Sequence, residues 1–233
     1  LLFTPVVKCM MKKFQLDAYI NTVNNFDDSL SKTSSAAANF VFPGLDSSKK
    51  KITGYFSTDG MNRVVAQIGN EKDTLLRIIN KQLFGGKLSK EEERNFMYDT
   101  ENKTINGLIL NLKYLKHFSI KFYKAINRLG KLVEGNKGTG TAFIYSNLVK
   151  AGGMEIFAEA LKENGYLEYM ENSNDYDIKD NTIDYKTGKT FEVIKKEGLA
   201  SEFKPATYLL ITGGTDDSGE DIPEIKQKII KDV

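Results

Sequence analysis

Two apolar runs constrain this chain more than any other feature: Thr141-Ala142-Phe143-Ile144-Tyr145-Ser146 and Ala206-Thr207-Tyr208-Leu209-Leu210-Ile211. Neither contains a charged residue, and runs of this kind mark strands covered on both faces, as in parallel sheets. Between them, Met154 to Asn164 has helical spacing, with Met154, Phe157, Ala158 and Leu161 facing inward and Gly165 where helices stop. Before the first run, Ser119 caps a helix with the stripe Ile120, Tyr123, Ile126, Leu129 and Val133. After the second, Gly213-Gly214 turns the chain, and Ile222 to Ile230 reads as a helix with Pro223 in its first turn. This alternation predicts an α/β fold in which the two runs lie side by side in a parallel sheet.

The first 117 residues are less regular. Leu2 to Val7 reads as a strand and Lys13 to Val23 as a helix, with Phe14, Leu16, Ala18, Tyr19, Ile20 and Val23 forming its stripe. Asn24 to Ser35 is polar and reads as a loop, and Asn39-Phe40-Val41-Phe42-Pro43 is extended ahead of its proline. Residues 44–70 show no clear element. Thr74 to Leu83 is helical and ends at Gly85-Gly86. Ser89 and Glu92 form a capping box, the tract from there to Asn106 is polar and expected to be exposed, and Leu108 to Leu115 is a further helix. Glu171 to Lys196 reads as an exposed excursion with a hairpin around Lys186-Thr187-Gly188. Leu1 in place of Met, and a helical pattern running to the last residues, lead us to expect a section of a longer chain.

Composition removes several classes of function. One cysteine, Cys9, and one histidine, His117, leave no internal disulfide and no Cys/His metal centre. They also suit a reducing, intracellular compartment. No run approaches the roughly 18 apolar residues of a membrane span. Thirty-three basic and 31 acidic residues give a net charge of +2, which neither demands nor excludes a nucleic-acid partner. No spacing assigns a catalytic residue or a metal ligand.

A glycine-rich stretch that cradles phosphate must follow a strand and open a helix. Gly135 to Gly140 precedes a strand, so it reads as a turn. Gly188-Lys189-Thr190 lies in the polar excursion with no apolar strand before it. Gly213-Gly214 has the right polarity, but Asp216, Asp217, Glu220 and Asp221 crowd the turn and repel a phosphate. The backbone of Thr212 and Gly213 lies ahead of those charges and remains able to meet a nucleic-acid strand. Tyr145-Ser146-Asn147 ends the first run, where ligands bind in open α/β sheets. Its hydroxyls suit a phosphate or sugar, and a plain helix-entry turn explains them equally well.

Three stretches together resemble the start of the second motor lobe, around motif IV, of superfamily 2 helicases of large DNA viruses: Ser119-Ile120-Lys121, Phe143 to Asn147, and Gly153-Met154-Glu155-Ile156 running on to Ala160-Leu161 and Asn164-Gly165-Tyr166. Swi/Snf-like ATPases and the poxvirus early-transcription and phosphohydrolase ATPases are similar. Thr212-Gly213 looks like the Thr-Gly after the next lobe strand. Val6 to Met10 with Phe14-Gln15 and Tyr19 resembles the exit from the first lobe, and Ser34-Ser35 with Ala38 to Pro43 is similar to an element of the viral branch.

The resemblance implies a partial RecA-like parallel sheet flanked by helices. Residues 1–43 would leave the first lobe and connect the two, 44–117 would be a mainly helical insertion, and 118–233 would open the second lobe. It implies an ATP-dependent helicase or translocase in which Tyr145, Ser146, Asn147, Thr212 and Gly213 touch the DNA or RNA backbone. ATP and Mg belong to the intact parent, whose ATP-site motifs lie outside this segment, and transcription or replication proteins are the expected partners. The alternative is a non-catalytic interaction module of a viral transcription or replication complex. A small transferase lobe would need a cofactor loop after its first strand, and none is present.

Overall fold

The computed structural model describes residues 6–26, 32–100, 104–136, 141–169 and 178–211. Helix and strand are mixed, and the sheets are small. By contact the chain divides into two units, Leu1–Gly130 with Ser146–Ala160 and Lys131–Tyr145 with Leu161–Val233.

In the first unit, α1 (Lys13–Phe26) and α2 (Lys32–Asn39) lead into the antiparallel pair β1 (Phe42–Leu45) and β2 (Ile52–Tyr55). The hairpin turn is built by Asp46, whose carboxylate accepts from Ser48 Oγ and from the Lys50 and Lys51 amides. The Ser48 hydroxyl is the main cause holding that carboxyl below its usual value. Gly54 lets α1 close on β2, because a Cβ there would sit 2.6 Å from both Ala18 Cβ and Val41 Cγ1. Ala18, Ala37 and Val41 form the buried cluster at this contact, with Phe14, Tyr19 and Phe56 packed against it.

The inner face of α1 is not the expected apolar stripe. Gln15, Ala18 and Thr22 are buried, whereas Leu16 and Ile20 are exposed. Gln15 reaches inward because its amide serves two helix ends at once. Its Nε2 donates to the carbonyls of Ala37 and Ala38 at the end of α2, and its Oε1 accepts from the Ile120 N–H. Those backbone groups have no partner within their own helices. Residues 32–35, expected in a loop, are helical: three consecutive alanines extend the segment, and buried Ser34, Ala36 and Ala37 face the core.

Helix α3 (Ser57–Phe84) contains the helix expected at Thr74 to Leu83, ending at Gly85 as expected, and extends it back through residues for which the sequence shows no clear element. It bends at Glu71 (φ −149°, ψ 38°), whose carboxylate pairs with Lys49 Nζ at 3.1 Å. Met61, Val64 and Ile68 are buried before the bend, and Leu75, Leu76, Ile78 and Ile79 after it. The buried positions keep one helical phase through the bend, but no apolar side chain stands between Ile68 and Leu75, which interrupts the stripe in the sequence.

Next come α4 (Lys90–Arg94), the short antiparallel pair β3 (Tyr98–Asp99) and β4 (Ile105–Asn106), a 3₁₀ turn at Leu108–Leu110, and α5 (Leu112–Leu115). The capping box forms as expected: Ser89 Oγ accepts from the Glu92 N–H at 3.1 Å, and Glu92 Oε2 from the Ser89 N–H at 3.0 Å. The expectation that 89–106 is exposed fails, because Phe96, Met97 and Ile105 are wholly buried. Phe96 packs edge-on against Phe84, Tyr114 and Phe118 with ring centroids 5.3 to 6.1 Å apart. Such pairs add about 0.5–1.5 kcal/mol each beyond area burial. His117 sits edge-on to Phe84 at 5.6 Å. Burial, then the charges of Lys116 and Lys12, push its pKa down.

Helix α6 (Ile120–Val133) is capped by Ser119, whose Oγ accepts from the Phe122 N–H. Its buried line is Ile120, Phe122, Ile126 and Gly130; Val133, expected inside, is exposed. Phe122 packs against Phe157 of α7 (Met154–Glu163) at 5.0 Å.

In the second unit, α6 closes with the Asn136 N–H on Lys131 O and the Gly135 N–H on Leu132 O. Residues 137–140 of the glycine-rich stretch lie outside the described residues. Strand β5 (Tyr166–Glu168) runs parallel to β6 (Ala206–Tyr208), with Tyr166 opposite Ala206 and Glu168 opposite Tyr208. Gly165, at φ 87°, ends α7, and a Cβ there would lie 2.5 Å from Tyr185 Cα. The hairpin expected at 186–188 is present. Ile183 bridges Thr190, and Asp184 accepts from the Thr187 amide and hydroxyl and from the Lys204 amide. Burial works to raise the Asp184 pKa, but these hydrogen bonds outweigh it and hold the carboxyl below its usual value. The excursion also carries α8 (Phe191–Lys196), with Ile194 buried.

The central expectation of the sequence is corrected here. Thr141 to Ser146 is not a strand and does not lie beside β6. Phe143 is 87% and Tyr145 79% exposed, and no backbone ladder reaches the run among the described residues. The parallel neighbour of β6 is Tyr166–Glu168 instead. Apolar content lets a segment pair, but the partner is set by which backbone lies alongside to take its N–H and C=O groups. β6 is also shorter than the run 206–211 and only partly buried. A RecA-like sheet is therefore not present among the described residues, where the sheets are two-stranded. Of the strand expected at Leu2 to Val7, Leu2 to Pro5 lie outside the described residues, and Val6 and Val7 are non-regular.

Candidate nucleic-acid interface

Tyr145, Ser146 and Asn147 are placed by the loop that enters α7. Ser146 Oγ accepts from the Leu148 N–H at 3.1 Å and donates to Leu148 O at 3.2 Å. Leu148 O also takes the Met154 N–H, Val149 O the Glu155 N–H, and Lys150 O the Gly153 N–H. These bonds wrap 148–155 into a closed turn before the helix. The Ser146 hydroxyl is engaged in that turn, which is the helix-entry geometry its sequence allows. Asn147 and Lys150 remain exposed on the turn, as does the Tyr145 ring on the run before it.

An exposed phenol ring offers a stacking face to a base, and a carboxamide and an ammonium can reach phosphate or sugar oxygens. Phe143 is a further candidate that sequence reasoning misses. Reading 141–146 as a doubly covered strand turns its ring inward, whereas the structure exposes it. Thr212 and Gly213, the other two expected contacts, lie outside the described residues, as does the helix expected at 222–230.

Gly188-Lys189-Thr190, the only Gly-Lys-Ser/Thr tripeptide in the chain, does not cradle a phosphate. The turn carrying it is folded around a carboxylate: Asp184 Oδ2 takes the Thr187 amide, and Asp184 O takes the Gly188 amide. Lys189 Nζ is paired with Glu197 at 2.7 Å. Among the described residues, no three His, Cys, Asp or Glu side chains come together as a metal site, and no helix is long and apolar enough to cross a membrane.

Set against known proteins, the chain is similar to a helicase of a large DNA virus. That relative, from Acanthamoeba polyphaga mimivirus, carries the name "Putative ATP-dependent RNA helicase" and is 43% identical over 238 residues. The alignment takes in 99% of this chain and 20% of the relative, so the chain spans about a fifth of that protein's length. No family model and no solved structure matches.

Proposed function

We propose that this chain is a section of an ATP-dependent nucleic-acid helicase or translocase of a large DNA virus. Residues 1–43 leave the first motor lobe, 44–117 form an insertion between lobes, and 118–233 open the second. The observation that carries this reading is the 43% identity extending over 99% of the chain, the segment 44–117 included. The parallel β5–β6 pair, joined through α8, supports it, since parallel strands with helical crossovers are the units of such lobes. Tyr145, Ser146, Asn147, Thr212 and Gly213 contact the strand backbone, Ser146 by shaping the turn that presents its neighbours.

ATP and Mg act in the intact protein. The residues described here do not fit them, because the Gly-Lys-Thr turn is already filled by Asp184. What this section supplies is strand positioning in an intracellular viral machine.

The test is made in the intact protein. Substituting Ser146→Ala together with Thr212→Ala weakens strand binding or uncouples nucleic-acid-stimulated ATPase from it. Stimulated ATPase and strand affinity both at the unsubstituted level sink the assignment of these contacts.

A further inference from the structure

We propose that a cleft between α3 and α4 is a second nucleic-acid site, taking the phosphodiester backbone of a single strand. The cleft has a volume of about 410 Å³ and is lined by Asp73, Thr74, Arg77, Lys90, Glu93 and Arg94. Spacing puts these groups together. Asp73 and Arg77 are one turn apart on α3, and Lys90 and Arg94 one turn apart on α4, so each helix turns one charged face to the cleft.

The charge balance favours an anion. Three cations face two carboxylates, and Glu93 is engaged by the Asn80 carboxamide. Arg77, Lys90 and Arg94 make no ion pair among the described residues, although both carboxylates share their cleft. Lys81, one turn beyond Arg77, is exposed and likewise without an ion-pair partner among the described residues. Two guanidinium forks match phosphate oxygens in a planar, two-point manner that an ammonium cannot, and the Thr74 hydroxyl can donate to a further oxygen.

The lining also selects the kind of anion. A small-molecule site of this volume is walled mainly by apolar side chains. This one is open, and each of its six lining residues ends in a charged or hydroxyl group, so little of a small ligand would be desolvated. A backbone passing across it needs only its phosphates met. The site lies within 44–117 and stands independently of the loop contacts at Tyr145 to Asn147.

The experiment uses the full chain and labelled 12-nucleotide RNA and DNA single strands, followed by fluorescence anisotropy across a salt series. Each phosphate that the protein ceases to neutralise lowers the slope of log affinity against log salt by about 0.7 for a single strand. Arg77→Ala with Arg94→Ala should therefore flatten the slope by about 1.4 and weaken binding at least tenfold. Arg128→Ala, an exposed cation on α6, should leave both unchanged. Asp73→Asn removes a repelling charge and should tighten binding severalfold, an improvement that a misfolded variant cannot give. Tighter binding to RNA than to DNA would add a 2′-hydroxyl contact to the backbone contacts, and equal binding would leave the backbone alone as the ligand; either supports the site. The proposal is overturned if the double variant binds as the parent does, if Asp73→Asn binds no tighter, or if polyglutamate displaces the strand at equal charge.

Discussion

Replacing Gln15 by alanine should cost the protein about 3 kcal/mol. The side chain is wholly buried and makes three hydrogen bonds: to Ala37 O at 3.3 Å, to Ala38 O at 3.2 Å, and from the Ile120 N–H at 3.1 Å. Truncation leaves the Ile120 amide in the interior without an acceptor, and each such group costs about 1–3 kcal/mol. The two carbonyls share one donor, and the Ala38 bond is only partly buried, so they add about 1 kcal/mol together. At about 2–4 °C per kcal/mol for a chain of this size, the melting temperature falls by about 6–12 °C. Urea unfolding read by far-UV circular dichroism measures the loss directly.

A second substitution isolates polarity from volume. Gln15→Glu keeps the oxygen that receives the Ile120 amide but turns an oxygen toward two carbonyls. Burial and those carbonyls raise the folded-state pKa of the new carboxyl above its unfolded value. Its stability is then greatest below the unfolded pKa and is lost as pH rises through the folded one. A Gln15→Ala loss below about 1 kcal/mol, or a Gln15→Glu variant whose stability relative to the parent is flat from about pH 4 to 8, refutes the assignment of Gln15 as the polar link between α1, α2 and α6.

Three further outcomes follow from particular contacts. Gly54→Ala forces a methyl group to within 2.6 Å of Ala18 and Val41, and should destabilise by about 1–3 kcal/mol in the same unfolding assay. Glu92 is held at about 2, first by the Lys113 ammonium and then by the Ser89 amide and Tyr114 hydroxyl. Its folded pKa is depressed, so its contribution is present above about pH 4.5 and is lost as pH falls toward 2. Glu92→Gln should flatten the acid limb of the stability profile in that window, and an unchanged limb would count against the pairing. The Tyr166 hydroxyl is buried near the Tyr185 side chain but outside full hydrogen-bonding geometry, so Tyr166→Phe should be neutral or stabilising by up to about 1 kcal/mol, read as a shift in melting temperature.

What the sequence by itself determined were features closed within three to five residues. The Ser89–Glu92 box, the Ser119 cap, the end of α7 at Gly165 and the hairpin at Lys186-Thr187-Gly188 are all where local chemistry puts them. Each satisfies backbone groups with side chains or glycine torsions a few residues away, so no distant partner is needed. The tertiary structure decided everything requiring a distant neighbour. It paired Ala206–Tyr208 with Tyr166–Glu168 and left Phe143 and Tyr145 in solvent. It buried Gln15 while exposing Leu16, and sank Phe96 and Met97 within a polar tract. It also gathered Arg77 and Arg94, on separate helices, into one cleft. Hydrophobicity and charge say what a residue can bury or attract. Which backbone amide, ring or ion lies within reach depends on chain closure over tens of residues, and that is settled only when the packed elements meet.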